Sequence, residues 1–168
     1  MPLVLTGAGA ITGLTSVPSS GLQLADGNMP TGSVLQVVTA NISASVSTTS
    51  SSPVASTLVT TITPSSATSK IFVLLNGGGI DANASSISQF TYMYRNIASA
   101  GYSSLAAMEI FFYPSANAYG GHSFTYLDSP ATTSSISYQP YFKVTGGNTV
   151  WFNNNSGVVS LTLMEIAV

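Results

Sequence analysis

Side chains that could perform acid, base or metal chemistry are scarce in this chain. Its 168 residues include three Lys or Arg, five Asp or Glu, one histidine and no cysteine, whereas a soluble domain normally commits about a quarter of its residues to charged types. The charged residues are Asp26, Lys70, Asp81, Arg95, Glu109, Asp128, Lys143 and Glu165. The lack of cysteine excludes disulfides, thiolate nucleophiles and sulfur ligands for a metal.

A serine hydrolase triad would depend on His122, because it is the single imidazole of the chain. Asp128 is the nearest carboxylate in sequence, but no Gly-Xaa-Ser-Xaa-Gly elbow presents a serine nucleophile. The run Gly-Gly-His-Ser at 120–123 instead places His122 beside a turn, at the start of a predicted strand. The sequence therefore does not favour nucleophilic catalysis.

Glycoside hydrolysis would need two carboxylates that flank a bond, and each carboxylate here has a structural explanation. Asp128 precedes Ser-Pro, a pattern in which Asp caps its own turn. Glu109 and Glu165 lie in predicted strands, where we expect them to pair with Arg95, Lys143 or Lys70. We predict a protein that is not an enzyme and that holds no metal or cofactor.

Charge and hydropathy limit the partners of the chain. A net charge of −2 with three scattered basic residues argues against nucleic acid, because useful affinity needs several Lys or Arg on phosphates. No apolar run approaches the roughly 18 residues of a membrane-spanning helix, so no membrane partner is predicted. A surface built from Ser, Thr, Asn and Gly, with little net charge to keep copies apart, favours a chain that belongs to an assembly.

From residue 33 onward the pattern predicts β-strands almost exclusively. Short runs rich in β-branched and aromatic residues are bounded by Ser, Pro, Asn and Gly. The predicted strands are 33–40, 56–63, 70–76, 89–95, 108–113, 122–127, 137–144, 149–153 and 158–167. Gly77, Gly78 and Gly79 are interpreted as a turn that ends a strand, with positive φ angles, and not as a phosphate loop. We therefore predict an all-β domain over 33–168, an antiparallel β-sandwich or jelly roll of about eight strands.

Residues 1–32 differ from the rest and are interpreted as an extended N-terminal arm. They contain six glycines and three prolines, and they have no long alternating run. Apolar residues on such a segment mark a surface on which it lies, either its own domain or a partner. The candidate anchoring residues are Leu3, Val4, Leu5, Ile11, Leu14, Leu22 and Leu24.

Two predicted strands, 70–76 and 159–167, are apolar on both faces. A strand buried on both sides is either central in a thick domain or covered by another subunit. We expect the second arrangement, in a homotrimer. The predicted oligomer interface is Ile71, Val73, Leu75, Leu161, Leu163, Met164 and Ile166.

Tyrosine is the aromatic type that could bind a ligand. The eight tyrosines could stack on sugar rings, although alternating tyrosines in strands are more often core or interface residues. Phe90, Tyr92 and Tyr94 alternate on one face of a predicted strand. The candidate receptor contacts, in and near loops, are Tyr102, Tyr113, Tyr119 and His122.

Several segments together resemble a module of structural proteins of tailed bacteriophages. The resemblance lies in Leu-Asp-Ser-Pro-Ala-Thr-Thr-Ser-Ser-Ile-Ser-Tyr at 127–138, Gly-Gly-Asn-Thr-Val-Trp-Phe-Asn at 146–153 and Ser-Leu-Thr-Leu-Met-Glu-Ile-Ala at 160–167. Residues 62–73 and the opening Leu-Thr-Gly-Ala-Gly-Ala-Ile-Thr-Gly-Leu at 5–14 belong to the same pattern. The resemblance implies a trimeric β-sandwich on the outside of a virion.

Two roles follow from that resemblance. Because the sequence has no shaft and no coiled-coil heptads, we expect a capsid decoration protein on the capsid exterior, whose arm lies on the major capsid protein or another virion protein. The alternative is a short fibre or receptor-binding tip that recognises the host surface, with a host surface glycan as the partner.

Overall fold

The computed structural model describes residues 29–83, 87–112 and 118–168. All regular secondary-structure elements in these ranges are β-strands. There are ten: β1 (Val34–Ile42), β2 (Val46–Thr48), β3 (Val54–Ala55), β4 (Thr60–Ile62), β5 (Lys70–Ala82), β6 (Ile87–Ile97), β7 (Ser103–Phe112), β8 (Ala118–Asp128), β9 (Ile136–Val144) and β10 (Val150–Ile166). No helix in the described ranges is long and apolar enough to cross a membrane. The predicted all-β class is confirmed.

The strands form two antiparallel sheets that pack face to face. Sheet A has the order β1-β10-β5-β8, with β2 also on β10, and sheet B has the order β3-β9-β6-β7, with β4 also on β9. Since β1 and β2 share one partner, and β3 and β4 share another, the arrangement has eight strand positions. The first strand pairs with the last, and consecutive strands are distributed over both sheets. This is the strand order of a jelly roll.

The core lies between the two sheets and follows the period-2 alternation of the strands. Every second residue of β9 is buried, from Ile136 to Val144, as strict alternation requires of a strand with one inward face. The rings of Phe142 on sheet B and Phe152 on sheet A stack at 5.6 Å between centroids. This aromatic contact joins the two sheets near the middle of the sandwich.

The glycine run at 77–79 does not end a strand, which corrects the sequence interpretation. Gly77 and Gly78 have φ angles of 91° and 73°, as predicted, but β5 continues through them to Ala82. The pairing register with β8 shifts between Asn76 and Gly79, which marks a β-bulge. The bulge lets one long strand pair with β10 on one side and β8 on the other.

Asp128 does not simply cap a turn, because it ties the two sheets together. Its carboxylate oxygens each accept a hydrogen bond from Arg95 Nη1 at 2.8 Å, and Tyr138 Oη donates to Oδ2 at 2.7 Å. Asp128 belongs to sheet A, whereas Arg95 and Tyr138 belong to sheet B. Burial and the bond to Asp128 raise the pKa of Tyr138 far above its ordinary value, so the phenol remains a donor.

Glu165 was expected to pair with a basic residue, but its hydrogen-bond partners in the structure are neutral. It is fully buried, and its oxygens accept hydrogen bonds from Gln36 Nε2 at 2.6 Å, Ser65 N at 2.8 Å and Ser65 Oγ at 2.7 Å. Burial alone would raise the pKa of Glu165, but these hydrogen bonds outweigh it, so its pKa lies below the ordinary value. The carboxylate therefore holds the 64–69 turn against β1 and β10 without a salt bridge.

Candidate interaction surfaces

The outer face of sheet A carries an apolar surface that crosses four of its strands, β1, β10, β5 and β8. Val37 pairs with Met164, Met164 with Phe72, and Phe72 with Leu127, which forms one continuous row. Val37 and Leu127, at the two ends of the row, are 53% and 50% exposed. We call this surface the apolar face; it consists of Val34, Val37, Phe72, Leu74, Leu127, Met164 and Ile166.

The predicted oligomer interface is wrong for five of its seven residues. Ile71, Val73, Leu75, Leu161 and Leu163 are fully buried within a single chain, where they face sheet B. They cannot form a surface contact because the fold itself already covers them. Met164 and Ile166 point the other way and belong to the apolar face. Strand 70–76 is apolar on both faces, as the sequence showed. The face that remains outside, however, carries Phe72 and Leu74 and not the predicted Ile71, Val73 and Leu75.

The outer face of sheet B is aromatic and chemically different from sheet A. Three rings stand in a line along β6, with centroids separated by 6.3 Å from Phe90 to Tyr92 and by 6.4 Å from Tyr92 to Tyr94. Tyr141 on β9 stacks on Tyr94 at 4.1 Å. We call this surface the aromatic face; it consists of Phe90, Tyr92, Tyr94, Tyr102, Tyr141 and Lys143.

The phenols of the aromatic face keep their hydroxyl groups available. Tyr102 extends the cluster, with its ring centroid 5.9 Å from that of Tyr141. Partial burial and the neighbouring phenols of Tyr102 and Tyr94 raise the pKa of Tyr141, so this phenol remains neutral. None of the hydroxyls of Tyr92, Tyr94, Tyr102 and Tyr141 bonds to another described residue. Each is free to donate to and accept from a ligand.

Lys143 supplies a cation to the aromatic face. Its Nζ lies 5.0 Å from the ring centroid of Phe90 and 5.7 Å from that of Tyr92. These are cation–π distances, and the contacts hold the long side chain in place over the rings. Glu109 is opposite Phe90 in the strand register.

Three of the four predicted receptor contacts lie within the described residues, and they are divided between the two sheets. Tyr102 lies on the aromatic face, next to Tyr141. Tyr119 and His122 are on β8, in the other sheet. Tyr113 lies outside the described residues, as do all seven predicted anchoring residues of the arm. The aromatic face therefore combines one loop residue, Tyr102, with residues of β6 and β9.

A cavity of about 340 Å³ opens at the end of the sandwich. Hydroxyl side chains dominate its polar wall, and Leu35, Ala167 and Val168 supply the apolar part. The described lining residues are Met29, Leu35, Ser65, Ser66, Thr68, Ser69, Ala167 and Val168. No ionisable side chain is among these described lining residues. No cluster of three or more His, Cys, Asp or Glu occurs within the described ranges either.

Sequence reasoning identified only Met164 and Ile166 of the apolar face, and it named the tyrosines of the aromatic face without assembling them into one surface. The alternation of Phe90, Tyr92 and Tyr94 showed that the three share a face, but not that this face is outward. Phe72 and Leu74 were visible in the two-sided apolar strand. The local sequence around Val37 and Leu127 did not indicate that they belong to this surface. Only the pairing register aligns them with Phe72 and Met164.

Comparison with known proteins gives little further information. No family model matches the chain, and no curated protein matches it. Among solved structures, the chain is similar to one in the structure of infectious bursal disease virus Gx strain, with 12% identity and a TM-score of 0.34. The match covers 90% of this chain and 47% of that chain, so this chain spans about half the length of its match. A likeness of this degree does not assign a function.

Proposed function

We propose that this chain is a non-enzymatic structural protein of a virion, a homotrimeric decoration protein on the capsid exterior. The observation that carries the proposal is the apolar face, a mainly aliphatic surface on the outside of the jelly roll. The resemblance of segments 62–73, 127–138, 146–153 and 160–167 to phage structural modules supports a virion location. The shortage of ionisable residues supports a structural role.

The apolar face is best covered by other copies of the same chain. Contiguous apolar surface on a soluble protein marks an interaction site when it is large. Lys70, opposite Ile166 at the edge of the face, is the one charged residue in register with it among the described strands. A partner therefore needs no complementary charges, and an equally charge-poor surface suits it. A second copy of the chain carries the same charge-poor surface and therefore meets this requirement.

Substituting both ends of the apolar row tests the association. We expect the double variant Val37→Ser/Leu127→Ser to convert a trimer into a monomer, because these two side chains are about half exposed and contribute apolar area to the interface rather than to the core. Size-exclusion chromatography with light scattering should give three times the 17.2 kDa chain mass for the wild type and one chain mass for the variant.

Val59→Ser is the matched control, because Val59 is also exposed (39%) but lies outside the apolar face. It should remain a trimer. A wild-type chain that is monomeric, or a double variant that is still trimeric, would contradict the proposed assembly. A stable dimer would contradict the trimer alone.

The N-terminal arm is the proposed attachment to the major capsid protein. Its leucines and valines would be buried on the capsid, with a gain of about 25 cal/mol per Å² of apolar area removed from water, less the cost of ordering the arm. We expect deletion of residues 1–28 to abolish decoration of capsids while the jelly roll still folds and associates. Cryo-electron microscopy of particles measures the occupancy. Wild-type occupancy by the truncated chain would refute this mode of attachment.

A short fibre or receptor-binding tip is the second candidate function. The aromatic face favours it, because half-buried tyrosines with free hydroxyls are typical of recognition surfaces. Density for the chain at the tail or at fibre tips, instead of over the capsid shell, would select this function over decoration.

A further inference from the structure

We propose that the aromatic face binds an extended polysaccharide chain, along the line from Phe90 to Tyr94 and across to Tyr141 and Tyr102. This inference deepens the second candidate function and is independent of association through the apolar face. The two faces belong to different sheets, so a copy that uses one can still use the other.

The first argument is the shape of the ring cluster. The three rings along β6 are spaced by 6.3 and 6.4 Å, and the cluster turns onto β9 through Tyr141 and ends at Tyr102. A single monosaccharide would contact only part of such a line. A surface of this length fits a linear ligand that lies across two strands.

The second argument is the chemistry of the exposed groups. Ring edges offer apolar contact to C–H groups, while the phenol hydroxyls of Tyr92, Tyr94, Tyr102 and Tyr141 bond to no described residue. Each phenol can both donate and accept, which suits a ligand whose hydroxyls do the same. Lys143 adds donors at the Phe90 end of the line. A polysaccharide presents both kinds of group, C–H patches and hydroxyls, along its whole length.

The third argument is the contrast with sheet A. The apolar face is mainly aliphatic and lacks phenols, as expected of a surface that packs against protein. On the aromatic face the rings pack against one another, and each tyrosine adds a hydroxyl that can donate and accept, so the face suits a ligand rich in hydroxyls better than an aliphatic protein surface. We therefore assign the aromatic face to a glycan rather than to a protein.

The site is already ordered before a ligand arrives. Stacking of Tyr141 on Tyr94 and the position of Lys143 over two rings restrict these side chains, which stand on the paired strands β6 and β9. Binding then costs little side-chain entropy. Tyrosine reinforces this advantage, because it has only two rotatable side-chain angles for its contact area.

Binding to an array tests the proposal with the full-length chain. The probes are immobilised neutral glucans, mannans and galactans, polymers that contain uronic acids, and a set of unglycosylated proteins. We expect the wild type to bind at least one polysaccharide class. Tyr141→Ala and Tyr94→Ala should weaken that binding at least about tenfold, as expected of truncating a central contact residue.

Two further variants separate recognition from folding. Tyr141→Phe keeps the ring stack and removes one hydroxyl, so it should weaken binding by a smaller factor while the fold is preserved. Val59→Ser, outside both faces, should bind as the wild type does. Absence of binding to every polysaccharide, binding to the protein probes alone, or unchanged binding by Tyr141→Ala and Tyr94→Ala would each overturn the proposal. If the trimer decorates capsids but binds no polysaccharide, the proposed glycan site is wrong and the decoration proposal still stands.

Discussion

Replacing Asp128 with alanine is expected to lower the free energy of unfolding by about 3 to 5 kcal/mol, because removal of one partner leaves the others buried without compensation. The side chain of Asp128 is 6% exposed, and that of Arg95 is 21% exposed. Arg95 would lose its ion pair, and Tyr138 would lose the acceptor of its 2.7 Å hydrogen bond. Since Asp128 connects sheet A to two residues of sheet B, the loss weakens the sandwich itself. Urea unfolding at a fixed protein concentration measures the change.

Two conservative variants identify the source of that loss. Tyr138→Phe removes one hydroxyl and leaves the ion pair, so it should cost about 1 to 3 kcal/mol, the usual range for leaving one buried polar group unsatisfied. Asp128→Asn keeps the volume and one acceptor oxygen but removes the charge, and its cost should lie between those of Tyr138→Phe and Asp128→Ala. A cost below that of Tyr138→Phe for Asp128→Ala would show that the ion pair does not hold the sheets together.

Replacing Gly78 with alanine should be the other strongly destabilising change. Gly78 has a φ of +73°, and a Cβ added there would collide with Val159 Cγ2 and come within 2.9 Å of Asn153 Oδ1. Val159 and Asn153 are fully buried and cannot move aside freely. The left-handed backbone costs about 1 to 2 kcal/mol for a residue with a Cβ, and overpacking adds about 1 to 3 kcal/mol. Thermal and urea unfolding of the variant measure the combined effect.

Gly147 provides a matched control for the backbone contribution. It has the same φ of +73°, but a Cβ added there meets nothing within 4 Å. Gly147→Ala should therefore show the backbone cost alone, and the difference between the two variants isolates the steric cost at the bulge. Equal losses for Gly78→Ala and Gly147→Ala would mean that the bulge tolerates a methyl group.

The strands themselves could be predicted from sequence because their signal is local. Alternation and β-branched residues gave the fold class and the approximate positions of β1, β5, β6, β8 and β9. The boundaries failed most clearly in two places: β5 passes through the glycine run at 77–79, and β10 joins two predicted strands, separated at 154–157, into one of 17 residues. A bulge keeps a strand paired in spite of an unusual φ, and only its partners on both sides show that pairing.

The partners of the charged groups depended on long-range contacts. Asp128 has the local sequence of a turn, yet it bonds to Arg95, which lies 33 residues away in the other sheet. Glu165 was expected to find a basic residue, but its hydrogen bonds come from Gln36 and Ser65. Sequence neighbours could not reveal these contacts, because jelly-roll topology brings distant strands together.

By itself, the sequence determined the chemical character of this protein: an all-β chain that is poor in charge and has more apolar strand surface than one core needs. The tertiary structure decided which side of each strand remains outside. Side chains alternate along a strand, so Ile71 and Phe72 are equally apolar neighbours, and only packing of the two sheets buries the first and exposes the second. The same packing turned Tyr92 and Tyr94 outward, because the inward positions of β6 are taken by Thr91 and Met93.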